Sequence, residues 1–416
     1  MRRREFLNLS ATLPAAGSLL SLDRLYASVR NQVSAQDSPG KTFDAIVLGV
    51  GSMGSSTCYF LARRGFRVLG LEQFDIPHEW GSHLGQSRII RKAYAEHPDY
   101  VPLLERAYRN WKALEEQTNS HVYFKTGLVY FGKPTDEVMK GVRESANKYH
   151  IEVQTLSEGE ASRKYPQFKL PAGYERLEEP DAGFVTPERC ILLFTEQAIR
   201  RGATILTKTK VLDWKRDGSG ITVNTSKGEF SCKKLVITAG PWAGKMIPGI
   251  SSRLRVTRQV LAWVKPRKWE PFALGRFPCW IVDEYYGFPV LPVGSFGGPI
   301  GLKLARHHPG EVSDPDTIDR VPTAADEHEL VEALNTFIPD GYAETHVMKI
   351  CMYTNSPDGN FILDYLPGYD KDVAIATGFS GHGFKFSSVV GEIMSDLVMN
   401  GGTPLPIGFL SARRFS

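Results

Sequence analysis

The spacing of hydrophobic positions changes along the chain, and the changes mark its elements. Phe43-Asp44-Ala45-Ile46-Val47-Leu48 is a short apolar run rich in strand formers. A helix-like stretch follows as far as Arg64, where Gly65 is placed to stop it, and Phe66-Arg67-Val68-Leu69-Gly70-Leu71 reads as a second strand. Over residues 100–116 the spacing of Leu103, Leu104, Ala107, Trp111 and Leu114 predicts an amphipathic helix. Residues 122–131 read as strands about a turn at Gly127, residues 138–149 as a helix, and residues 187–202 as a further helix. Strand-like runs follow at 204–206, 211–215 and 220–225, then a turn at Lys227-Gly228 and a buried strand at 234–240. Val373-Ala374-Ile375-Ala376-Thr377-Gly378 repeats the strand-to-glycine design. Beyond it Phe386, Val389, Val390, Ile393, Met394 and Leu397 fall at helical spacing before Gly401-Gly402.

Between the first two strands stands Gly49-Val50-Gly51-Ser52-Met53-Gly54, and Glu72 closes the second. Strand, GxGxxG, helix, strand, acid is the order of a dinucleotide-binding unit. Gly49 permits the tight turn. Gly51 lets backbone approach a pyrophosphate, with Ser52 and Met53 at the helix start. Gly54 allows close helix–strand packing. The helix N-terminus offers free N–H groups to the phosphates, and Glu72 can accept from ribose hydroxyls. The fingerprint alone does not separate FAD from NAD.

Composition narrows the classes. With 42% hydrophobic and 23% charged residues the chain is globular, and a formal net charge of +4, partly at the extreme N-terminus, suggests no nucleic-acid partner. Cys58, Cys190, Cys232, Cys279 and Cys351 form no CxxC or metal-type spacing and no disulfide framework, and Cys58 is expected in the core of the first helix. Arg3-Arg4-Glu5-Phe6-Leu7, followed by a mildly apolar stretch to Leu22, resembles a twin-arginine export signal. Cleavage is expected near Leu25-Tyr26-Ala27 or Val33-Ser34-Ala35, so residues 1–40 are set outside the fold as a leader, and an exported, periplasmic or secreted protein is expected. No run approaches the length of a membrane span.

At Gly378-Phe379-Ser380-Gly381-His382-Gly383-Phe384-Lys385-Phe386-Ser387 a glycine-rich loop enters the last helix, whose N-terminus would favour the negative charge of a reduced flavin. Together with the fingerprint, Gly81-Ser82-His83, Arg88-Ile89-Ile90-Arg91-Lys92-Ala93-Tyr94, Tyr285-Tyr286-Gly287-Phe288-Pro289, Gly301-Leu302-Lys303 and Cys351-Met352-Tyr353-Thr354, this loop resembles the monomeric sarcosine oxidase and N-methyltryptophan oxidase family, in family order from Phe43 onward.

The resemblance implies an α/β (α+β) fold: a Rossmann-type FAD-binding domain (residues 41–95, 170–250 and 340–416) interwoven with a mainly antiparallel substrate domain (residues 96–169 and 251–339). It implies FAD bonded through the sulfur of Cys351, with Ser82, Gly381 and Gly383 at the cofactor. Arg91 and Lys385 would clamp a substrate carboxylate through charge-assisted bonds. Lys303 would activate oxygen, Arg88 would lie near the flavin ring, and His307, Tyr286 and Tyr353 would line the substrate pocket. The implied activity is oxidation of the C–N bond of an N-methyl or cyclic amino acid, with oxygen as acceptor, by a monomer without a metal. An exported dehydrogenase and a non-catalytic amino-acid-binding flavoprotein are the alternatives. Two departures bear on the substrate pocket: Leu84 stands where the family has a histidine, and the stretch from Tyr286 to Lys303 is longer by the region around 290–294.

Overall fold

The computed structural model describes residues 22–32, 42–218, 220–307 and 310–415. The first strand, Thr42–Leu48, lies at the middle of an eight-stranded sheet. It pairs in parallel with Val68–Leu71 on one side and with Gly228–Ile237 on the other. Thr204–Leu206 extends the sheet beyond Val68–Leu71, again in parallel. Gly228–Ile237 is long enough to serve three neighbours. Its first half pairs antiparallel with Gly220–Thr225, and its last residues pair in parallel with Val373–Thr377. Strands buried on both faces read as continuous apolar runs, which is why 43–48 and 373–377 show no alternation.

Three helices cover one face. Ser52–Arg63 packs on both Pro187–Ile199 and Ser387–Asn400. The approach to the last is close: a Cβ on Gly391 would meet Ser56 Oγ at 2.4 Å, and Ser56 Oγ donates to the Ser387 carbonyl at 2.6 Å. Cys58 is fully buried there, as expected. Gly401, at φ +71°, ends the last helix.

A second eight-stranded sheet stands over this domain, ordered from Glu344–Asn355 through Arg255–Lys265, Leu302–Arg306, Tyr285–Phe288, Cys279–Val282, Leu128–Gly132 and Glu175–Glu179 to Gln154–Thr155. All its pairings are antiparallel except that of Cys279–Val282 with Leu128–Gly132. Two strands cross the expected boundaries. Glu175–Glu179 and Glu344–Asn355, assigned from sequence to the nucleotide-binding part, pair in this second sheet. Alternation marks a strand but does not say which edge it joins.

The structure also takes in residues that were set outside the fold. Leu22–Gln32 is a helix on Pro187–Ile199, with Leu25 and Val29 buried and Ser28 Oγ donating to Glu196 at 3.0 Å. The twin-arginine stretch and the second cleavage candidate, 33–35, lie outside the described residues. Among the described residues no helix is long and apolar enough to cross a membrane, and no group of His, Cys, Asp and Glu could hold a metal.

Candidate active site

Two cavities meet between the sheets. One, of 430 Å³, runs along the first sheet past Gly49, Gly51, Ser52, Met53, Glu72, Ser82, Gly381 and Gly383. The other, of 760 Å³, lies under the second sheet and holds Arg91, Lys385, His307 and Tyr286. Arg88, Gly381 and Phe384 line both, which places the junction at the C-terminal glycine loop.

The first cavity is built for a phosphate-bearing ligand. Gly49 takes φ +87°, a left-handed backbone that glycine adopts without strain. A Cβ on Gly54 would lie 1.8 Å from the Gly49 carbonyl, so Gly54 lines no cavity and acts by letting the helix touch the turn. Helix Ser52–Arg63 has no side-chain cap, leaving its first N–H groups toward the cavity. Glu72 accepts from the Val50 N–H at 2.9 Å and the Phe74 N–H at 3.1 Å, and its burial pushes the carboxyl up to about 7. It therefore ties down the glycine turn as well as facing the ligand. His83 also lines this cavity. The backbone of His78 bonds its ring, burial and then the Arg88 charge press its pKa down to about 4, and Nε2 has no partner among the described residues. A neutral, buried, unsatisfied imidazole beside an uncapped helix fits a ligand carrying both hydroxyls and phosphates, as FAD does.

The second cavity has a cationic inner end. Lys92 N, Ala93 N and Tyr130 Oη all donate to Glu179, which fixes the segment beside Arg91. Arg91 Nη2 donates to both oxygens of Glu96, while Nη1 is buried with no partner among the described residues. Burial works to raise the Glu96 carboxyl, and the Arg91 guanidinium overrides it, holding it at about 2. Lys385 sits in the 3₁₀ turn Phe384–Phe386, pinned by Trp111 Nε1 donating to its carbonyl at 3.0 Å. Its ammonium donates to the His382 carbonyl at 2.8 Å. Burial, followed by the Arg91 charge, pulls its pKa down to about 7. Tyr286 and His307 line this cavity, whereas Tyr353, expected beside them, lines the nucleotide cavity and meets His307 Nδ1 with its Oη at 3.3 Å.

Two expected residues stand back from the cavities. Lys303 is buried, and its Nζ donates to the Gly85 carbonyl, to the Ser87 carbonyl at 2.8 Å and to Ser87 Oγ at 3.2 Å. It lines neither cavity. The sulfur of Cys351 lies 3.6 Å from the Ser82 carbonyl and 3.9 Å from Arg88 Nη2, behind the two residues that form the wall. The sequence departures fall on the same side. Leu84 packs with Leu261, Trp263, Ala305 and Cys351. The added region forms the turn Val293–Phe296, whose Ser295 carbonyl accepts from Arg189 at 2.7 Å, and the next carbonyl but one, Gly297, accepts from Gln86 Nε2. Both changes brace the loop that carries Arg88 and line neither cavity.

Glu96, His83, Glu179 and the Tyr94–His382 pair, 2.6 Å apart, were not found from sequence. Glu96 was within reach, since an acid five positions after a clamp arginine is a candidate partner. The others depend on long-range folding.

The chain belongs to the family described as "FAD dependent oxidoreductase", whose pattern matches residues 44–397. It is an FAD-dependent amine oxidase of the sarcosine oxidase and N-methyl-L-tryptophan oxidase group. It is 38% identical over 381 residues to the monomeric sarcosine oxidase of Bacillus sp. (strain NS-129), covering 89% of this chain and 97% of that protein. With the N-methyl-L-tryptophan oxidase of Citrobacter koseri it shares 33% identity, covering 90% and 99%. Among solved structures, the L-proline dehydrogenase of P. horikoshii superposes with a TM-score of 0.77 at 23% identity, over 91% of this chain and 98% of that one. NikD, an unusual amino acid oxidase of nikkomycin biosynthesis, gives 0.77 at 22%, over 89% and 97%.

Proposed function

We propose that the enzyme oxidises the C–N bond of a secondary amino acid, N-methylated or cyclic, to an imine, and passes the electrons to oxygen to give hydrogen peroxide. The observation that carries this is the pair of cations, Arg91 and Lys385, lining a cavity that opens onto the nucleotide cavity. Bound FAD supplies the two-electron acceptor. The residues of the chain do the rest. Arg91 and Lys385 take the carboxylate and so fix the adjacent carbon near the junction at Arg88 and Gly381. The phenol of Tyr286 and the ring of His307 form the polar wall beside the amine, with Tyr353 behind His307 on the nucleotide side. The low pKa of the buried Lys385 lets a carboxylate recharge it on binding, so the ion pair forms where water is scarce.

Anaerobic titration of the holoenzyme with sarcosine, proline, N-methyl-tryptophan and their primary-amine counterparts tests this. Bleaching of the flavin by the secondary amines is expected. Bleaching by none of them, or only by primary amines, would overturn it. A second reading, a dehydrogenase that uses another carrier, is favoured by Lys303, whose ammonium is spent on Gly85 and Ser87. Turnover with oxygen compared with dichlorophenolindophenol separates the two. Attachment of FAD through Cys351, export on the twin-arginine signal and a monomeric state belong to the same proposal. Acid precipitation, cell fractionation and sedimentation test them in turn.

A further inference from the structure

The larger cavity is polarised. Its inner end carries Arg91 and Lys385. Its outer end carries Asp136 and Asp283, with Lys133 as the cation on that rim. Asp283 sits in the hairpin between Cys279–Val282 and Tyr285–Phe288, with a left-handed φ of +51°. Aspartate tolerates this conformation, which suits it to the tip of a hairpin. Tyr174 Oη donates to Asp283 Oδ2 at 2.9 Å. No cation lies within ion-pair distance of Asp283 or Asp136 among the described residues. The neighbouring Glu284, by contrast, is paired with Arg306. Burial and the nearby Asp136 charge raise the Asp283 carboxyl, so the site would gain from a positive partner. Between the ends the walls are aromatic, from Tyr130, Tyr174, Tyr285 and Tyr286. The cavity, 760 Å³ with the flavin's share at the junction included, runs on past the cationic end to these carboxylates.

At the inner end Arg91 and Lys385 line the same cavity, which sets two cations opposite the two carboxylates. We infer that the substrate is a secondary amino acid with a long side chain or N-substituent ending in a cation, an ammonium or guanidinium, which Asp283, supported by Tyr174 and Asp136, receives at the outer end. The inference rests on the substrate reading of the same site and adds its distal half. Aromatic walls suit such a tail, because a cation passing over ring faces is attracted to them.

The test compares kcat/KM of the holoenzyme for Nα-methyl-lysine and Nα-methyl-arginine with Nα-methyl-norleucine, a neutral tail of similar length, and with sarcosine. The cationic substrates are expected to exceed norleucine by about tenfold at low salt, the value of one modest ion pair. In Asp283→Asn that ratio should fall toward one, and in Tyr174→Phe it should fall part of the way. If Asp283→Asn does not fold, Tyr174→Phe and the salt dependence of the wild-type ratio decide. Equal rates for lysine and norleucine derivatives, or a ratio that survives in both variants, overturns the inference and leaves the secondary-amine reading standing. Failure of every substrate, sarcosine included, sinks that reading instead.

Discussion

Arg91 Nη2 holds the Glu96 carboxylate by two hydrogen bonds, 2.7 and 2.8 Å, inside the cavity where a substrate carboxylate is to bind. The protein thus presents its own carboxylate to the guanidinium, which lies over the rings of Tyr94 and Tyr130. An incoming anion competes with Glu96 for charge even where it does not displace it. In Glu96→Gln that competition is lost. Binding of phenylacetate, a carboxylate with no amine, should tighten by about five- to tenfold. The titration is run at several pH values from 6 downward, because removing the Glu96 charge lowers the Lys385 pKa further. Unchanged or weaker binding would show that Glu96 serves only to orient Arg91.

Lys385 gives the site a pH dependence with two opposite signs. Its folded pKa is about 7 against an ordinary 10.5. The unfolded chain therefore binds more protons between these values, and this residue's contribution to stability rises with pH across that window. Phenylacetate affinity should run the other way, falling above pH 7 by up to about tenfold per unit as the ammonium is lost. Lys385→Met should flatten the affinity profile between pH 7 and 9. A wild-type profile that is already flat would place the Lys385 pKa elsewhere.

The Cys351 sulfur is one layer behind the cavity wall, against the Ser82 carbonyl and the Arg88 guanidinium. A thioether to the flavin requires Arg88 to swing aside, which its three bonds to the carbonyls of Ser82, Leu84 and Ser87 resist. If the bond forms, the yellow colour stays with acid-precipitated wild-type protein and leaves with Cys351→Ala. Colour lost from both would mean that FAD is held by the nucleotide cavity alone.

How far the sequence reached depends on what each residue's role requires. The glycine turn, Glu72 and the first helix follow from local spacing, and the structure places them as read. Arg91, Lys385, His307 and Tyr286 came from motif resemblance, and the fold brings them to one cavity from four separate stretches of chain. Lys303 shows the limit. Its position on the strand Leu302–Arg306 was legible, but whether its ammonium faces a ligand or a loop depends on the carbonyls of Gly85 and Ser87, more than two hundred residues away. Strand membership failed for the same reason. Residues 175–179, with Leu177 as their one apolar residue, and 344–355 carry no pattern that assigns them to a sheet, and only pairing partners decide.

Gly54 offers a sharp test of the turn. A Cβ there would stand 1.8 Å from the Gly49 carbonyl and 2.7 Å from Thr238 Oγ1. Neither neighbour can retreat, because Gly49 is bonded to Leu71 and Thr238 to Leu48. Gly54→Ala should cost about 2 kcal/mol or more and weaken FAD retention on gel filtration. Full retention with an unchanged Tm would mean that the helix start can shift without loss.

The helix Leu22–Gln32 makes the last prediction. Its Leu25 and Val29 are buried against the helix Pro187–Ile199, the element that also packs on the dinucleotide-binding helix. A leader destined for removal gains nothing from such burial, whereas a retained helix stabilises the domain by covering apolar surface. Cleavage after Ala27 would cut this helix in half. Leu25→Ala in the full-length protein should therefore cost about 2–3 kcal/mol. The Tm should fall by about 3–4 °C, from an unfolding entropy of about 2 cal/mol/K per residue in a chain of this length. Arg30, on the same helix and exposed, serves as the control position. Should Leu25→Ala leave the Tm where it was, the helix is a loosely held part of the leader, and residues 1–40 return outside the fold.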